Sequence, residues 1–476
     1  MRRLSVRAAA EEVPARAAIV AADGRTLTHA ELWARVRGAM AGLRAAGVHP
    51  GDAEARVALP AHGDLETLVV VLALVELAVP LVPLHPKLTA SERGALLDAL
   101  APSHVLDRRA VRGAAAHGAD SSSPEGPPRP ADPEQPLAVV ATSGTSGRPK
   151  GTVLSRRAFV AAADASARNL GWREDDRWLL CMPMAHVGGL SIPLRALAAR
   201  RTTVLAPGGA FDPTVLIDVV ERRRVTLLSL VPTMLARWLE ALGAREAPAH
   251  LRAVLLGGAG VPADLLARAR DRKLPVLTTY GLTETCGQVT TQRPGTLPDP
   301  GAGSGMPLPG LDVRVREGEI QVRGSSLASG YLRGSRLEPL PCTSDGFLRT
   351  GDAGRLDEAG RLHVLGRLDD RIVTGGENVD PLDVEGALRR LPGVRDACVF
   401  GVDDATWGQV VAAAIVPGEG GLSLEALRRA VRTELAPHRR PRRVAVLDRF
   451  VTTGSGKVDR RATAAKAIPC LRPLFD

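Results

Sequence analysis

The sequence predicts an α/β fold: a large N-terminal domain of mixed parallel sheets flanked by helices, with a small β-barrel-like part, followed by a small α+β domain. Three observations lead there. Short apolar strand-like runs alternate with helical runs through most of the chain, the pattern of a largely parallel sheet covered by helices. Several of those strands end in glycine-rich or polar stretches, where open α/β sheets hold their ligands. From Gly310 the texture shifts to short alternating strands around turns, and a compact helix–strand series follows Gly366. A chain of 476 residues exceeds one ordinary core. We therefore expect a large domain over 1–366 and a small one over 367–476.

In order, Thr28 is placed to N-cap a helix over His29–Ala46, which stops at Gly47 before Pro50 and Gly51. Strands are expected at Val57–Leu59 and Val79–Leu84, with a helix from Leu65 between them. The apolar run Thr67–Leu84 is broken by Glu76 and Pro80, so it reads as a buried helix and a strand, short of a bilayer span. Ala119–Pro136, rich in serine, proline and acids, reads as an exposed, mobile connection. Then come a helix over Arg156–Asn169, strands at Trp178–Met182, Thr202–Leu205, Leu227–Leu230, Ala253–Leu256 and Val276–Thr279, and helices over Pro213–Arg224 and Pro232–Leu242. Val313–Arg316 and Glu319–Arg323 flank Gly318 as antiparallel strands, and Leu362–Leu365 follows a turn. The small domain reads Asp383–Leu391 helix, Val394–Val402 and Val410–Val416 strands, Ser423–Glu434 helix, Val444–Leu447 strand. No repeats occur.

One stretch carries chemistry on its face. Thr142–Gly151 follows the apolar run Leu137–Ala141 and holds four hydroxyls, three glycines and a lysine in ten residues. Glycines let backbone N–H groups approach a ligand, hydroxyls add donors, and Lys150 is a point charge suited to phosphate. It is not a Walker loop, because Lys150 lies between Pro149 and Gly151.

Composition narrows the rest. An aromatic content of 3% argues against a stacking platform for nucleic acid, and no long basic block accompanies the net charge of +10. The densest basic cluster, His438-Arg439-Arg440-Pro441-Arg442-Arg443, is open to two readings, a solvated surface or an attraction for a phosphorylated ligand. Five separated cysteines without a CxxC pair argue against a disulfide framework or thiolate metal site. With no apolar leader at the N-terminus, a soluble cytoplasmic protein is expected, without stable membrane insertion. A homo-oligomer is left open.

Five stretches then agree with one family: Thr142–Gly151, Tyr280–Glu284, Thr350-Gly351-Asp352, Gly366–Asp370 and Gly454–Lys457. Over nearly its whole length the chain resembles the acyl-CoA synthetase, adenylation-domain and luciferase superfamily. The resemblance implies a two-step ligation that uses ATP, Mg2+ and CoA. An acid attacks the α-phosphate to give an acyl-adenylate and pyrophosphate, and a thiol then displaces AMP. It further implies that Thr142, Ser143, Gly144, Thr145, Ser146, Gly147 and Lys150 bind the β- and γ-phosphates. Thr283 would touch the α-phosphate and Glu284 would bind magnesium. Gly258, Ala259, Tyr280 and Gly281 would surround the adenine. Asp352 and Arg367 would hold the ribose. Lys457 would enter for adenylation only, with rotation of the small domain about Asp369, and Gly375-Gly376 would line the pantetheine tunnel.

The acyl site should involve His186, as a gate or packing residue; no base is required, because the attacking acid is already ionised. Ser191, Arg195 and Thr283 join it. A cation beside an acyl pocket suits a substrate with a second carboxylate, which arginine can clamp bidentately. Pro183–Ser191, Tyr280–Gln288, Gly375–Val379 and Trp407-Gly408-Gln409 resemble ligases of an aromatic dicarboxylate. Another aryl- or fatty-acyl-CoA ligase is the nearer alternative, and a non-catalytic nucleotide-binding relative the more distant one.

Overall fold

The computed structural model describes residues 2–50, 55–117, 132–143, 149–209, 211–295, 297–418, 420–453 and 457–475. They form two compact units: Met1–Gly258 with Leu265–Val313 and Val322–Leu348, and Ala259–Asp264 with Arg314–Gln321 and Arg349–Asp476. Most of the expected connection at 119–136 lies outside the described residues.

The first unit carries two large sheets. One has nine strands, in the spatial order Met306–Pro307, Gly287–Thr291, Val276–Leu282, Ala253–Leu256, Leu227–Leu230, Arg177–Leu180, Thr202–Leu205, Ala17–Val20 and Thr26–Thr28. From Val276–Leu282 to Ala17–Val20 neighbours run parallel, and antiparallel strands close both edges. The other sheet orders Arg336–Glu338, Gly330–Arg333, Pro149–Ser155, Pro136–Ser143, Leu81–Leu84, Val57–Pro60 and His104–Val105.

Local chemistry accounts for the elements. Thr28 caps the helix His29–Ala45 through a reciprocal capping box with Glu31. The helix Leu65–Leu77 is buried at nearly every position, as an all-round apolar helix must be. It starts on the Asp64 side chain, which accepts from the Thr67 N–H, and ends at Ala78 in the left-handed region. Truncating Leu72, which is 2% exposed, to alanine would cost about 2–5 kcal/mol. Glu76, the acid that interrupts this apolar run, accepts hydrogen bonds from the Ser5 hydroxyl and the Val6 and Arg7 N–H groups, fastening the N-terminal helix Val6–Glu12. Burial pushes its carboxyl above the ordinary range despite those donors. Among the described residues no helix is long and apolar enough to cross a membrane.

A four-stranded sheet follows, ordered Leu311–Arg316, Glu319–Gly324, Leu348–Leu356 and Leu362–Arg367. Its edges do not meet, so the expected barrel-like part is an open sheet. Most of its residues belong to the second unit. There, Val394–Asp404 and Gly408–Pro417 form a long antiparallel pair, with Arg443–Val446 parallel to the latter. Alternation along this pair feeds two cores: Val399, Val411 and Ile415 pack with Val384, Leu388 and Val431 on one face, and Cys398, Phe400, Ala412 and Ala414 with Ala445 and Leu447 on the other.

Two elements differ from expectation in ways that matter for the site. The sequence predicts a loop through Gly151, but Pro149–Ser155 is a strand, so Lys150 stands on a sheet. The helix Val187–Ala199, which carries Ser191 and Arg195, was not expected, because its two glycines and an internal Pro193 mask the helical pattern.

Candidate active site

In the first unit, Pro136–Ser143 and Pro149–Ser155 pair antiparallel with Thr142 opposite Lys150. Gly144, Thr145, Ser146 and Gly147 lie outside the described residues, and of Ser143 only the backbone is described. Gly151 is enforced by packing: a Cβ there would stand 2.4 Å from Val139 and 2.6 Å from Leu100. Lys150 is placed over Tyr331, its Nζ 3.3 Å from the ring centroid. The Tyr331 hydroxyl donates to Glu284 Oε1 at 2.8 Å.

Glu284 sits in the single turn Thr283–Thr285 that ends the strand Val276–Leu282. The turn is pinned by Thr285, whose hydroxyl receives the Leu282 N–H at 3.0 Å and bonds the Gly287 carbonyl at 2.8 Å. The carbonyl of Glu284 accepts from the Ala328 N–H at 2.8 Å. Gly281 is obligatory, since a Cβ would lie 1.9 Å from the Gly287 oxygen. Tyr280 is buried in the strand just before it. Gly258, at φ +84°, follows the neighbouring parallel strand Ala253–Leu256, so Gly258 and Tyr280 occupy adjacent carboxyl-side positions. Ala259 is exposed and belongs to the second unit.

His186 occupies the N-cap of Val187–Ala199 without capping it, and its ring lies 5.8 Å from that of His85. This histidine pair was not anticipated. Ser191 is buried, its hydroxyl directed to the Gly188 carbonyl at 3.4 Å. Arg195, 5% exposed, donates from Nη1 to Gln288 Oε1 at 2.7 Å, and Gln288 in turn donates to the Thr291 hydroxyl at 2.8 Å. The guanidinium carbon is 5.8 Å from the Trp178 ring centroid. Among the described residues Arg195 has no acidic partner, and its Nε makes no hydrogen bond. Burial pushes it down to about 10, with Cys286 opposing; the Cys286 thiol is itself pushed up to about 12 by burial. A buried cation with an amide for its partner is a costly arrangement unless a ligand completes it.

The second unit holds another set. Asp352 faces Arg367 across an antiparallel pair, and Arg367 Nη1 donates to Asp352 Oδ1 at 3.0 Å and to the Thr350 carbonyl at 3.1 Å. Burial works to lower Arg367, but Asp352, Asp369 and Asp370 outweigh it and hold the guanidinium above its ordinary value. Thr350, missed as a site residue, receives the Asp352 N–H at 3.0 Å and donates to the Ile320 carbonyl at 2.7 Å. Lys457 closes a tight loop in which its carbonyl accepts from the Thr453 N–H at 2.8 Å; residues 454–456 lie outside the description. Burial lowers its ammonium from the ordinary lysine value, against the pull of Asp352. Asp369 is exposed in the turn Leu368–Asp370.

Gly375 and Gly376, at φ +58° and +85°, turn the hairpin between Ile372–Thr374 and Glu377–Val379. A Cβ on Gly375 would be 2.7 Å from the Trp407 ring, whereas Gly376 has nothing within 4 Å and is held to glycine by its backbone angle.

The chain belongs to the AMP-binding enzyme family. That family's model matches residues 6–332, and the model of the AMP-binding enzyme C-terminal domain matches 383–457. Among the relatives, 2-succinylbenzoate–CoA ligase of Bacillus cereus is 37% identical over 329 residues, 67% of each chain. The enzyme of that name from Bacillus pumilus is 36% identical over 334 residues, covering 68% of this chain and 67% of its own. Among solved structures, o-succinylbenzoate CoA synthetase of Bacillus subtilis with the acyl-adenylate intermediate OSB-AMP has a TM-score of 0.85 at 31% identity, covering 96% of both chains. The same enzyme with ATP and magnesium gives 0.84 at 31% identity, covering 96% and 98%.

Proposed function

We propose that this chain is an AMP-forming acid–CoA ligase that converts 2-succinylbenzoate, ATP and CoA to 2-succinylbenzoyl-CoA, AMP and pyrophosphate, a step of menaquinone biosynthesis. The observation that carries the choice of acid is Arg195, a buried guanidinium with no acid beside it among the described residues. 2-Succinylbenzoate has two carboxylates. One is activated, and the ring carboxylate supplies the counter-charge that Arg195 lacks.

In the first step an oxygen of the succinyl carboxylate attacks the α-phosphorus and the bond to pyrophosphate breaks, leaving a mixed anhydride. The protein positions partners and neutralises charge. Lys150 and the hydroxyls from Thr142 to Ser146 hold the departing pyrophosphate. Thr283 contacts the α-phosphate, and Lys457 bridges it to the attacking carboxylate. Gly258, Ala259, Tyr280 and Gly281 hold the base, while Asp352, oriented by Arg367 and Thr350, receives the ribose hydroxyls. His186 and Ser191 line the acyl pocket. In the second step the CoA thiolate attacks the acyl carbon and AMP leaves. The small domain pivots at Asp369 between the steps, bringing Gly375-Gly376 to the pantetheine.

Glu284 fits a magnesium ion. It is a hard oxygen donor with one carboxylate oxygen fixed by Tyr331. A single carboxylate suits an ion that keeps several waters and takes phosphate oxygens. When bound, magnesium neutralises phosphate charge. The deciding assay measures pyrophosphate release with ATP, CoA and 2-succinylbenzoate against benzoate and medium-chain fatty acids. Preference for the dicarboxylate is expected. Equal rates with benzoate would reject the acid, and no release with any acid would reject the ligase.

A further inference from the structure

Tyr331 joins the two groups to which the proposed function gives the polyphosphate and the metal. It is one of only two tyrosines in the chain. Its strand, Gly330–Arg333, pairs antiparallel with Pro149–Ser155 so that Tyr331 stands opposite Thr152. Lys150 lies two residues from Thr152 and therefore on the same face, diagonal to the tyrosine. That register lays the ammonium 3.3 Å from the ring centroid. The hydroxyl at the far end of the same ring reaches Glu284 Oε1 at 2.8 Å. The other side of this arrangement is rigid, because the Glu284 turn is pinned by Thr285 and by the Ala328 N–H.

A cation over the π-face draws electron density from the ring and makes the phenol a better donor. A carboxylate acceptor, in turn, makes the ring more electron-rich toward the cation. The two contacts therefore reinforce each other through one side chain. We propose that Tyr331 is a positioning residue for adenylation. Its hydroxyl sets the Glu284 carboxylate for magnesium and its ring sets Lys150 for the pyrophosphate half of ATP, so that metal capture and phosphate capture are coupled. The inference rests on the roles proposed above for Glu284 and Lys150.

The two arms separate by substitution. Tyr331→Phe keeps the ring and its volume and deletes the donor, while Tyr331→Leu removes both. Calorimetry would measure ATP binding to the full chain in EDTA and again with Mg2+, giving the affinity gained through the metal. Tyr331→Phe should weaken metal-free ATP only slightly, yet lose ~10–100-fold of the magnesium-dependent gain, the usual effect of removing a group that orients a metal-binding carboxylate. Tyr331→Leu should also weaken metal-free ATP. Glu284→Gln is measured alongside. If Glu284→Gln loses the gain while Tyr331→Phe keeps it, Tyr331 is a packing residue and the proposal falls alone. If Glu284→Gln keeps the gain, the magnesium role of Glu284 falls and the coupling falls with it.

Discussion

Replacing Arg195 by alanine tests the choice of acid most directly, because stability and activity should respond differently. The guanidinium is 5% exposed and bonded to Gln288 at 2.7 Å, with no acid beside it among the described residues. Its removal relieves the desolvation of a buried charge but leaves the Gln288 oxygen without that donor, a loss of about 1–3 kcal/mol. These terms oppose, so the melting temperature should move by only a few degrees, on the order expected for a ΔΔG near 1 kcal/mol. With 2-succinylbenzoate bound the balance changes, since the ring carboxylate would then be buried without its cation. Truncating one partner of a buried charge pair costs about 2–5 kcal/mol, or roughly 30- to 5,000-fold in kcat/KM. A monocarboxylic analogue with the succinyl chain but no ring carboxylate should change only a few-fold. The assay is pyrophosphate release with both acids, alongside a thermal melt. If both acids lose activity equally, Arg195 is a structural residue and the dicarboxylate argument fails.

Other outcomes divide the two half-reactions. Lys457→Ala should abolish acyl-adenylate formation yet retain thioester formation from supplied acyl-adenylate, and equal loss of both would reject the two-conformation mechanism. Burial holds the Lys457 ammonium below its ordinary value, so the alkaline limb of adenylation should begin below the range of a solvated lysine, about 10.4. The sign follows from the proton: the bridging role needs the charged form, which is lost as pH rises through the lowered folded-state value. A pH profile of pyrophosphate release with no limb until that ordinary value would contradict the assignment. Gly376→Leu should spare pyrophosphate release and impair CoA use. A side chain at φ +85° adds roughly 1–2 kcal/mol of local strain, and normal thioester turnover would exclude Gly376 from the tunnel.

What could be read from the sequence was whatever is encoded locally. Thr202–Leu205, Leu227–Leu230, Ala253–Leu256 and Pro232–Leu242 agree to the residue, because each strand is a short run rich in leucine or β-branched residues and buried at every position, and the helix is opened by proline and closed by glycine. Elements shaped by distant partners were not legible. Lys150 follows Pro149, which suggests a loop, yet pairing with both Pro136–Ser143 and Gly330–Arg333 draws it into a sheet. The helix bearing Arg195 forms despite Gly188, Gly189 and Pro193 because its face is buried along almost its whole length. Tyr331 escaped notice because its significance arises from a register nearly two hundred residues apart in sequence. The one signal in the sequence is its rarity, since the chain's other tyrosine is Tyr280 of the Tyr280–Glu284 motif.

The dense basic run His438–Arg443 meets partners on its own unit. In the basic cluster, Arg439 pairs with Asp383 at 3.2 Å and Arg443 with Asp404 at 3.9 Å. Arg440 donates to the Leu435 and Arg432 carbonyls near the end of the helix Leu424–Glu434, where cations are favoured. Arg442 stacks over Trp407 at 4.5 Å. Each arginine of the cluster thus has a partner within the small unit. Arg195, alone in its stretch and inconspicuous in any charge count, is buried with an amide for its partner and no acid beside it among the described residues. For finding a ligand site, the relevant measure of a basic residue is its burial against the partners it already has.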